Sequence, residues 1–261
     1  MSMVNSENIN KSKIGKILQE FPKNLVLLSS WLVSNGYSYE LQQRYRKSGW
    51  LKSIGIGAMI KSSDSLLLSG ALAALQFQAN INIHLGGRSA LELKGLAHYL
   101  QLSHPEATLY VSGKIKMPTW FTKNKWDVGY KLTRATIFKS DNVGLVDYQD
   151  NEIVTKISSP GRAMLECLYL CPNYFSLTEA YELMEGLPTL RPNQVQELLE
   201  KCTSIKAKRL FLYFAERAGH SWLKYIDETK IDLGSGNRSL TDSGNGALIS
   251  KYNLVLPKVL L

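Results

Sequence analysis

Tyr39, Gln42, Gln43, Arg44, Arg46 and Lys47 lie together in the short stretch YELQQRYRK. Their side chains suit reading a nucleic-acid duplex. Arginine grips guanine O6 and N7 with two hydrogen bonds, and glutamine does the same for adenine N6 and N7. Lysine and tyrosine suit phosphate oxygens. Leu41 and Tyr45 are four apart and share one face of a helix. At about 100° per residue the opposite face holds Tyr39, Gln43, Arg46 and Lys47, with Gln42 and Arg44 flanking it. Lys52 and Lys61 follow in a hairpin-like segment, where they would contact the DNA backbone as a wing. Trp50 is expected to pack beneath that wing. The competing reading is a solvated basic helix that only keeps the chain soluble.

Other residues with chemical potential carry weaker signals. Lys201, Lys206, Lys208 and Arg209 form a second basic run, a candidate surface for another anionic partner such as tRNA, a protein or distal DNA. A solvated helix face is the competing reading. In HLGGRSALELKG, two glycines precede Arg88 at a strand-to-helix junction, a candidate anion site. A tight turn that needs glycine freedom explains the same residues. Cys167 and Cys171 are four apart but sit among leucines, as buried thiols do. With Cys202 elsewhere, no metal site is expected. His84, His98, His104 and His220 lack ligand spacing. Asp150, Glu152 and Lys156 do not match a nuclease spacing, and no nucleophile–base set stands out. No catalytic residue and no cofactor are therefore expected.

The elements that would position the basic helix can be read from pattern. KIGKILQEF (13–21) has helical spacing and is stopped by Pro22. LVLLSSWLVS (25–34) reads as a second short helix, closed by Asn35-Gly36. Ser38 is the expected N-cap of the basic helix, which ends near Ser48-Gly49. WLKSI, a Gly55-Ile56-Gly57 turn and AMIK then form a hairpin. Helix, helix, tight turn, helix, hairpin is the order of a winged helix-turn-helix.

Beyond residue 61, SLLLSGALAALQF (65–77) reads as a helix, NINIHL as a strand and RSALELKGLAHYL (88–100) as a helix. TLYVSGKI, VGYKLTRATIFK, VGLVDY and EIVTKI suggest an antiparallel sheet. Four helices follow: after Ser159-Pro160, after a Ser176/Glu179 capping box, over NQVQELLEKC and over AKRLFLYFAERA. A Gly-rich tail ends in the strand YNLVLP. The expected fold class is α+β, an N-terminal winged helix-turn-helix (1–61) followed by a larger mixed α/β C-terminal domain (62–261).

Charge is distributed unevenly. The chain carries +9, of which +6 falls in residues 1–61, with nine Lys/Arg against three acids. That concentration favours a polyanion-binding module on a nearly neutral body. Hydrophobic residues make up 44% and charged residues 20%, a globular balance. No apolar run reaches the roughly 18 residues needed to cross a membrane. The polar N-terminus lacks a signal-like apolar segment, and three cysteines form no secreted framework. A cytoplasmic location is expected.

The stretch LLSSWLVSNGYSYELQQRYRKSGWLKSIGIGAMIK, above all YRKSGWL before a Gly-containing wing, resembles the N-terminal winged helix of AbiEi-type antitoxins. The resemblance continues through GALAAL, IHLGGRSALELKGLAHYL, SSPGRAMLECLYL, AKRLFLYFAERAGHSW, IDLGSGNRSL and KYNLVLP, nearly the whole chain. It implies a bacterial antitoxin of an abortive-infection system. Such a protein represses its own operon by binding inverted repeats in promoter DNA. It also counteracts an AbiEii-type nucleotidyltransferase toxin through its C-terminal domain, usually without stable contact. The resemblance carries over the recognition helix and wing, hence Tyr39, Gln42, Gln43, Arg44, Arg46, Lys47, Lys52 and Lys61, but no residue for antitoxicity. Inverted repeats require two modules, and a monomer pairing on DNA and a homodimer both satisfy that. The alternatives are a winged-helix protein-interaction adaptor and a nucleic-acid-modifying enzyme with a winged-helix targeting domain. The first does not need the basic first quarter, and the second needs an acid cluster or nucleophile–base pair.

Overall fold

The computed structural model describes residues 13–97, 106–241 and 246–261. Helix α1 is Lys13–Glu20, with Ile17 fully buried and Pro22 just beyond it. The following apolar stretch is not a single helix. Leu27–Leu28 forms strand β1, and helix α2 spans only Ser29–Ser34. Pairing explains the split, because Leu27 lies opposite Met59 and Leu28 opposite Ala58 in an antiparallel ladder. Helix α3 is Tyr39–Lys47. Strands β2 (Leu51–Gly55) and β3 (Ala58–Lys61) pair around a turn in which Gly55 and Gly57 both have positive φ. The sheet order is β1-β3-β2, completing a winged helix-turn-helix. Its core is Ile17, Leu27, Leu32, Tyr37, Leu51 and Met59, with Leu41 and Tyr45 of α3 packed against it.

Helix α4 (Leu68–Ala73) starts later than its apolar pattern suggests and continues as a π-helical turn, Ala74–Gln78. Gly70 is required there, because a Cβ would stand 1.9 Å from the Asn24 carbonyl oxygen. The chain then forms β4 (Ile83–Leu85), α5 (Gly87–Leu93), β5 (Glu106–Val111), α6 (Thr119–Lys123), β6 (Gly129–Arg134), β7 (Leu145–Asp150) and β8 (Ile153–Ser158). The expected helix 88–100 is shorter, stopping at Leu93, where Gly95 at φ 69° and Leu96 N–H donating to the Leu91 carbonyl close it; His98 and His104 lie outside the described residues. These strands are ordered β6-β5-β4-β8-β7. The sheet is not purely antiparallel, because β4 pairs with β8 in parallel, Leu85 opposite Ile157.

Helices α7 (Pro160–Leu170), α8 (Leu177–Glu185), α9 (Pro192–Lys201) and α10 (Ile205–Arg217) follow. Ser176 caps α8 through the Glu179 amide. Strands β9 (Arg238–Ser239), β10 (Gly246–Ile249) and β11 (Leu254–Pro257) form a small sheet ordered β10-β11-β9.

The chain divides into two compact units. The first comprises Met1–His84, Lys114–Tyr130 and Asp147–Lys156; the second comprises Leu85–Gly113, Lys131–Val146 and Ile157–Leu261. The first unit thus holds the winged helix together with α4 and α6. The core of the second is built on α7 and α10, with Leu168, Leu210, Phe211 and Phe214 fully buried.

Candidate nucleic-acid interface

The turn between α2 and α3 is set by Gly36, whose φ of 84° suits glycine. Gly36 N–H donates to the Val33 carbonyl at 3.0 Å, and Tyr37 N–H to the Leu32 carbonyl at 2.9 Å. This is a Schellman closure, with Tyr37 and Leu32 together in the core. Ser38 then caps α3, accepting from Leu41 N–H at 3.3 Å. Its hydrogen bond also lowers the pKa of the Glu40 carboxyl, an anion in the first turn of α3. The other end of α3 closes the same way. Gly49, at φ 76°, donates to the Arg46 carbonyl, and Trp50 N–H donates to the Tyr45 carbonyl. The length of the helix is therefore fixed at both ends by local sequence.

The outward side of α3 exposes Tyr39, Gln43, Arg44, Arg46 and Lys47. Gln42 is not among them, and its expected role in reading bases is corrected. It is 1% exposed. Its Nε2 donates to the Tyr37 carbonyl at 2.8 Å and the Ser29 carbonyl at 3.1 Å, while Oε1 accepts from the Ser29 hydroxyl. One amide thus ties α3 to the start of α2 and to the turn. The expected wing contact of Lys61 is also corrected. It is 4% exposed, and its ammonium caps α1 through the carbonyls of Leu18 (3.1 Å) and Phe21 (2.5 Å). A cation at a helix C-terminus meets the negative end of the dipole. Burial, the largest influence, lowers its pKa, and Asp64 opposes that. Lys52 is exposed on the wing, with its ammonium donating to the carbonyls of Asp64 (2.8 Å) and Ser62 (3.3 Å). Trp50 is 41% exposed, so it is not the buried support expected beneath the wing. Ile56 at the wing tip is 89% exposed.

The wing has a support that the sequence reading missed. In the first unit α6 packs against β2, and Asn124 Nδ2 donates to the Ile54 carbonyl at 2.6 Å. A Cβ at Gly55 would meet Trp120 Cβ at 2.9 Å, so the wing needs glycine where α6 approaches. Trp120, Phe121 and Trp126 form an aromatic cluster under this segment. Lys123 and Lys125 flank Asn124 and are exposed. The only cue in sequence was lysines interleaved with aromatics in TWFTKNKW. Nothing local tied that segment to a hairpin about 70 residues earlier.

The other candidates are mostly engaged internally. Lys208 and Arg209 are 2% and 1% exposed, so the expected basic surface is not formed. Arg209 donates to the carbonyls of Leu233 (2.8 Å), Gly236 (2.7 Å) and Asn253 (3.0 Å). Lys201 pairs with Glu197 at 2.6 Å. Lys206 donates to the Tyr169 carbonyl at 2.7 Å and to the Cys171 carbonyl.

Arg88 pairs with Glu92 at 2.7 Å and with Glu179, so the expected anion site is corrected as well. The anion at the Gly86-Gly87 turn is the chain's own Glu166, fully buried, which accepts from Gly87 N–H at 2.8 Å and the Ser158 hydroxyl at 2.7 Å. A Cβ at Gly86 would stand 2.2 Å from that carboxylate. Glu166 also pairs with buried Arg162 at 2.8 Å.

Cys167, Cys171 and Cys202 are buried free thiols. Burial raises the pKa of each, that of Cys171 to about 12. Among the described residues no group of three or more His, Cys, Asp or Glu could hold a metal ion. Glu152 accepts from Lys23 N–H at 3.2 Å, Asp150 holds Asn151, and Lys156 pairs with Asp147. No described helix is long and apolar enough to cross a membrane.

A capped basic helix behind a glycine turn, followed by a hairpin wing, defines a winged helix-turn-helix protein with a larger α+β region. Residues 10–102 match the family described as transcriptional regulator, AbiEi antitoxin N-terminal domain. Residues 104–257 match transcriptional regulator, AbiEi antitoxin, type IV TA system. The chain belongs to this AbiEi antitoxin family of transcriptional regulators. A search of curated proteins found no match. The crystal structure of the RV2827C protein from Mycobacterium tuberculosis is similar in fold, with a TM-score of 0.56 at 13% identity. That similarity covers 95% of this chain and 91% of the other.

Proposed function

We propose that this antitoxin represses its own toxin–antitoxin operon by binding inverted-repeat promoter DNA. Helix α3 enters the major groove, where Gln43, Arg44 and Arg46 read base edges and Tyr39 and Lys47 hold phosphates. Lys52, Lys123 and Lys125 bind the backbone beside the wing. Two copies occupy the two half-sites, either as a homodimer or as monomers that pair on DNA. The C-terminal residues counteract a cognate AbiEii-type nucleotidyltransferase toxin without catalysing a reaction themselves.

The observation that carries this reading is the sorting of α3. Gln42 is held inward by three hydrogen bonds, while Gln43, Arg44, Arg46 and Lys47 remain exposed on one short, doubly capped helix. The test is a gel-shift titration against DNA from upstream of the gene, at two salt concentrations, beside a scrambled duplex. Stepwise, salt-sensitive shifts restricted to the upstream DNA are expected. Equal weak binding to both duplexes would reduce α3 to a generic basic surface and sink the reading.

A further inference from the structure

A cleft of about 420 Å³ in the second unit lies between β6, the end of α7 with the residues after it, and the start of α10. That size suits a small-molecule site, roughly 300–1,000 Å³. Its charged lining is cationic: Lys131, Arg134 and Lys206, with no Asp or Glu among the described residues that line it. Two tyrosines complete it. Tyr174 is 73% exposed, an unusual setting for a large ring, and the Lys131 ammonium stands 5.7 Å from its centroid. The Lys206 ammonium stands 5.8 Å from the Tyr169 ring.

The three cations differ in their freedom. Lys206 spends its donors on the Tyr169 and Cys171 carbonyls and so shapes the cleft wall. The Arg134 side chain is exposed and makes no hydrogen bond or ion pair with another described residue. Lys131 is exposed, and among the described residues its ammonium reaches only the Tyr174 ring. Across Tyr174 a second cavity of about 610 Å³ contains Glu92, Glu106 and Glu179, and Arg88 pairs with Glu92 and Glu179. Tyr174 and Lys131 line both cavities, where a carboxylate-free pocket meets an acidic one, and Arg134 lines the carboxylate-free pocket alone. A ligand on this ring would direct its negative end toward Lys131 and Arg134.

An exposed aromatic ring with a lysine ammonium over it and an arginine side chain nearby suits a planar base with a phosphate attached, the base on the ring's other face or in place of the lysine. Bases stack on tyrosine, and phosphate oxygens accept from lysine and arginine. We propose that this cleft binds a nucleotide unit, with its base on Tyr174 and its phosphate between Lys131 and Arg134. The same chemistry serves a free mononucleotide or one residue of a single strand. The site uses no residue of α3, so it stands or falls apart from operator binding.

The test uses the full-length protein in equilibrium dialysis with labelled AMP, with ribose 5-phosphate as competitor. Fluorescence anisotropy with a labelled, 5′-phosphorylated hexa-adenylate RNA runs alongside. AMP or the hexamer should bind, and ribose 5-phosphate should compete at least tenfold less well than unlabelled AMP. AMP binding identifies a free-nucleotide site, and binding of the hexamer alone identifies a single-strand site. Either supports the proposal. Tyr174→Ala should weaken binding about tenfold or more, Tyr174→Phe should retain it, and Arg134→Ala should weaken it several-fold. The double variant Arg46→Ala/Lys47→Ala should bind as the parent does. The proposal is overturned if neither probe binds at millimolar concentration or if ribose 5-phosphate competes as well as AMP. Undiminished binding by Tyr174→Ala, or loss of binding in the α3 double variant, also overturns it. The comparison of AMP with ribose 5-phosphate needs no variant, so a folding defect cannot mask the result.

Discussion

Helix α3 and helix α10 both begin or end on a cluster of bases, yet they use them oppositely. In α3 only Leu41, Gln42 and Tyr45 turn toward the core, and Arg44, Arg46 and Lys47 stay in solvent. In α10 the run from Ala207 to Ala215 is buried without interruption, and Lys208 and Arg209 are carried inward with it. A cation taken from water must find fixed acceptors, and Arg209 finds three carbonyls. The difference shows that a basic cluster becomes a surface only where the apolar stripe beside it is narrow. Where the stripe wraps the whole helix, the charges become internal struts.

The strongest way to break this contrast is to remove buried charges. Glu166→Ala leaves Arg162 buried without its carboxylate and should cost about 3–5 kcal/mol in denaturant unfolding. Arg209→Ala strands the Leu233 and Gly236 carbonyls, while the Asn253 carbonyl keeps Arg238 N–H, and should cost about 2–4 kcal/mol, with unchanged DNA affinity per folded molecule. A variant of Arg209 that kept its stability but lost operator binding would invert the assignment. Gln42→Leu removes the tie between α3 and α2 and should cost about 2 kcal/mol of stability. In contrast, Arg46→Ala should leave the melting temperature alone and cost about 1–3 kcal/mol in operator binding, read by gel shift. Lys125→Ala should lower the slope of log affinity against log salt by about one, equally on specific and scrambled DNA.

The smallest effect concerns pH. Hydrogen bonds from Lys251 and Tyr252 hold the Glu216 carboxyl below its usual 4.5. Its contribution is complete above that ordinary value and is lost as pH falls through the lowered one. Glu216 is partly exposed, so Glu216→Gln should cost well under about 1 kcal/mol at neutral pH. The gap from the parent should close in acid, as thermal melts across pH 3–7 would show by roughly parallel then converging curves.

How much of this was legible depended on whether the decisive contacts were local. Gly36, Ser38 and Gly49 act within a turn of themselves, and they announced the bounds of α3. The hairpin around Gly55-Ile56-Gly57 was equally plain. Gln42 was not, because glutamine suits both a base edge and a buried carbonyl. Its fate is decided by Ser29, thirteen residues away on another helix. Lys61 was misplaced for the same reason, since its acceptors lie on α1. The parallel pairing of β4 with β8 joins residues some 70 apart, beyond any periodicity. Burial of Lys208 and Arg209 did have a cue, because RLFLYFA leaves no polar face for them to occupy.

The amide of Gln42 has a consequence for specificity. Together with Leu41 and Tyr45 it anchors α3 from the inner side, so the side chains of Gln43, Arg46 and Lys47 are not needed for that anchoring. Substitutions at those three positions leave the Gln42 hydrogen bonds and the core packing in place, and cost at most the roughly 0.3–1 kcal/mol that a cation in the last helical turn contributes. If α3 reads DNA as proposed, the sequence it prefers can be changed at positions 43, 46 and 47 without breaking the hydrogen bonds that seat the helix.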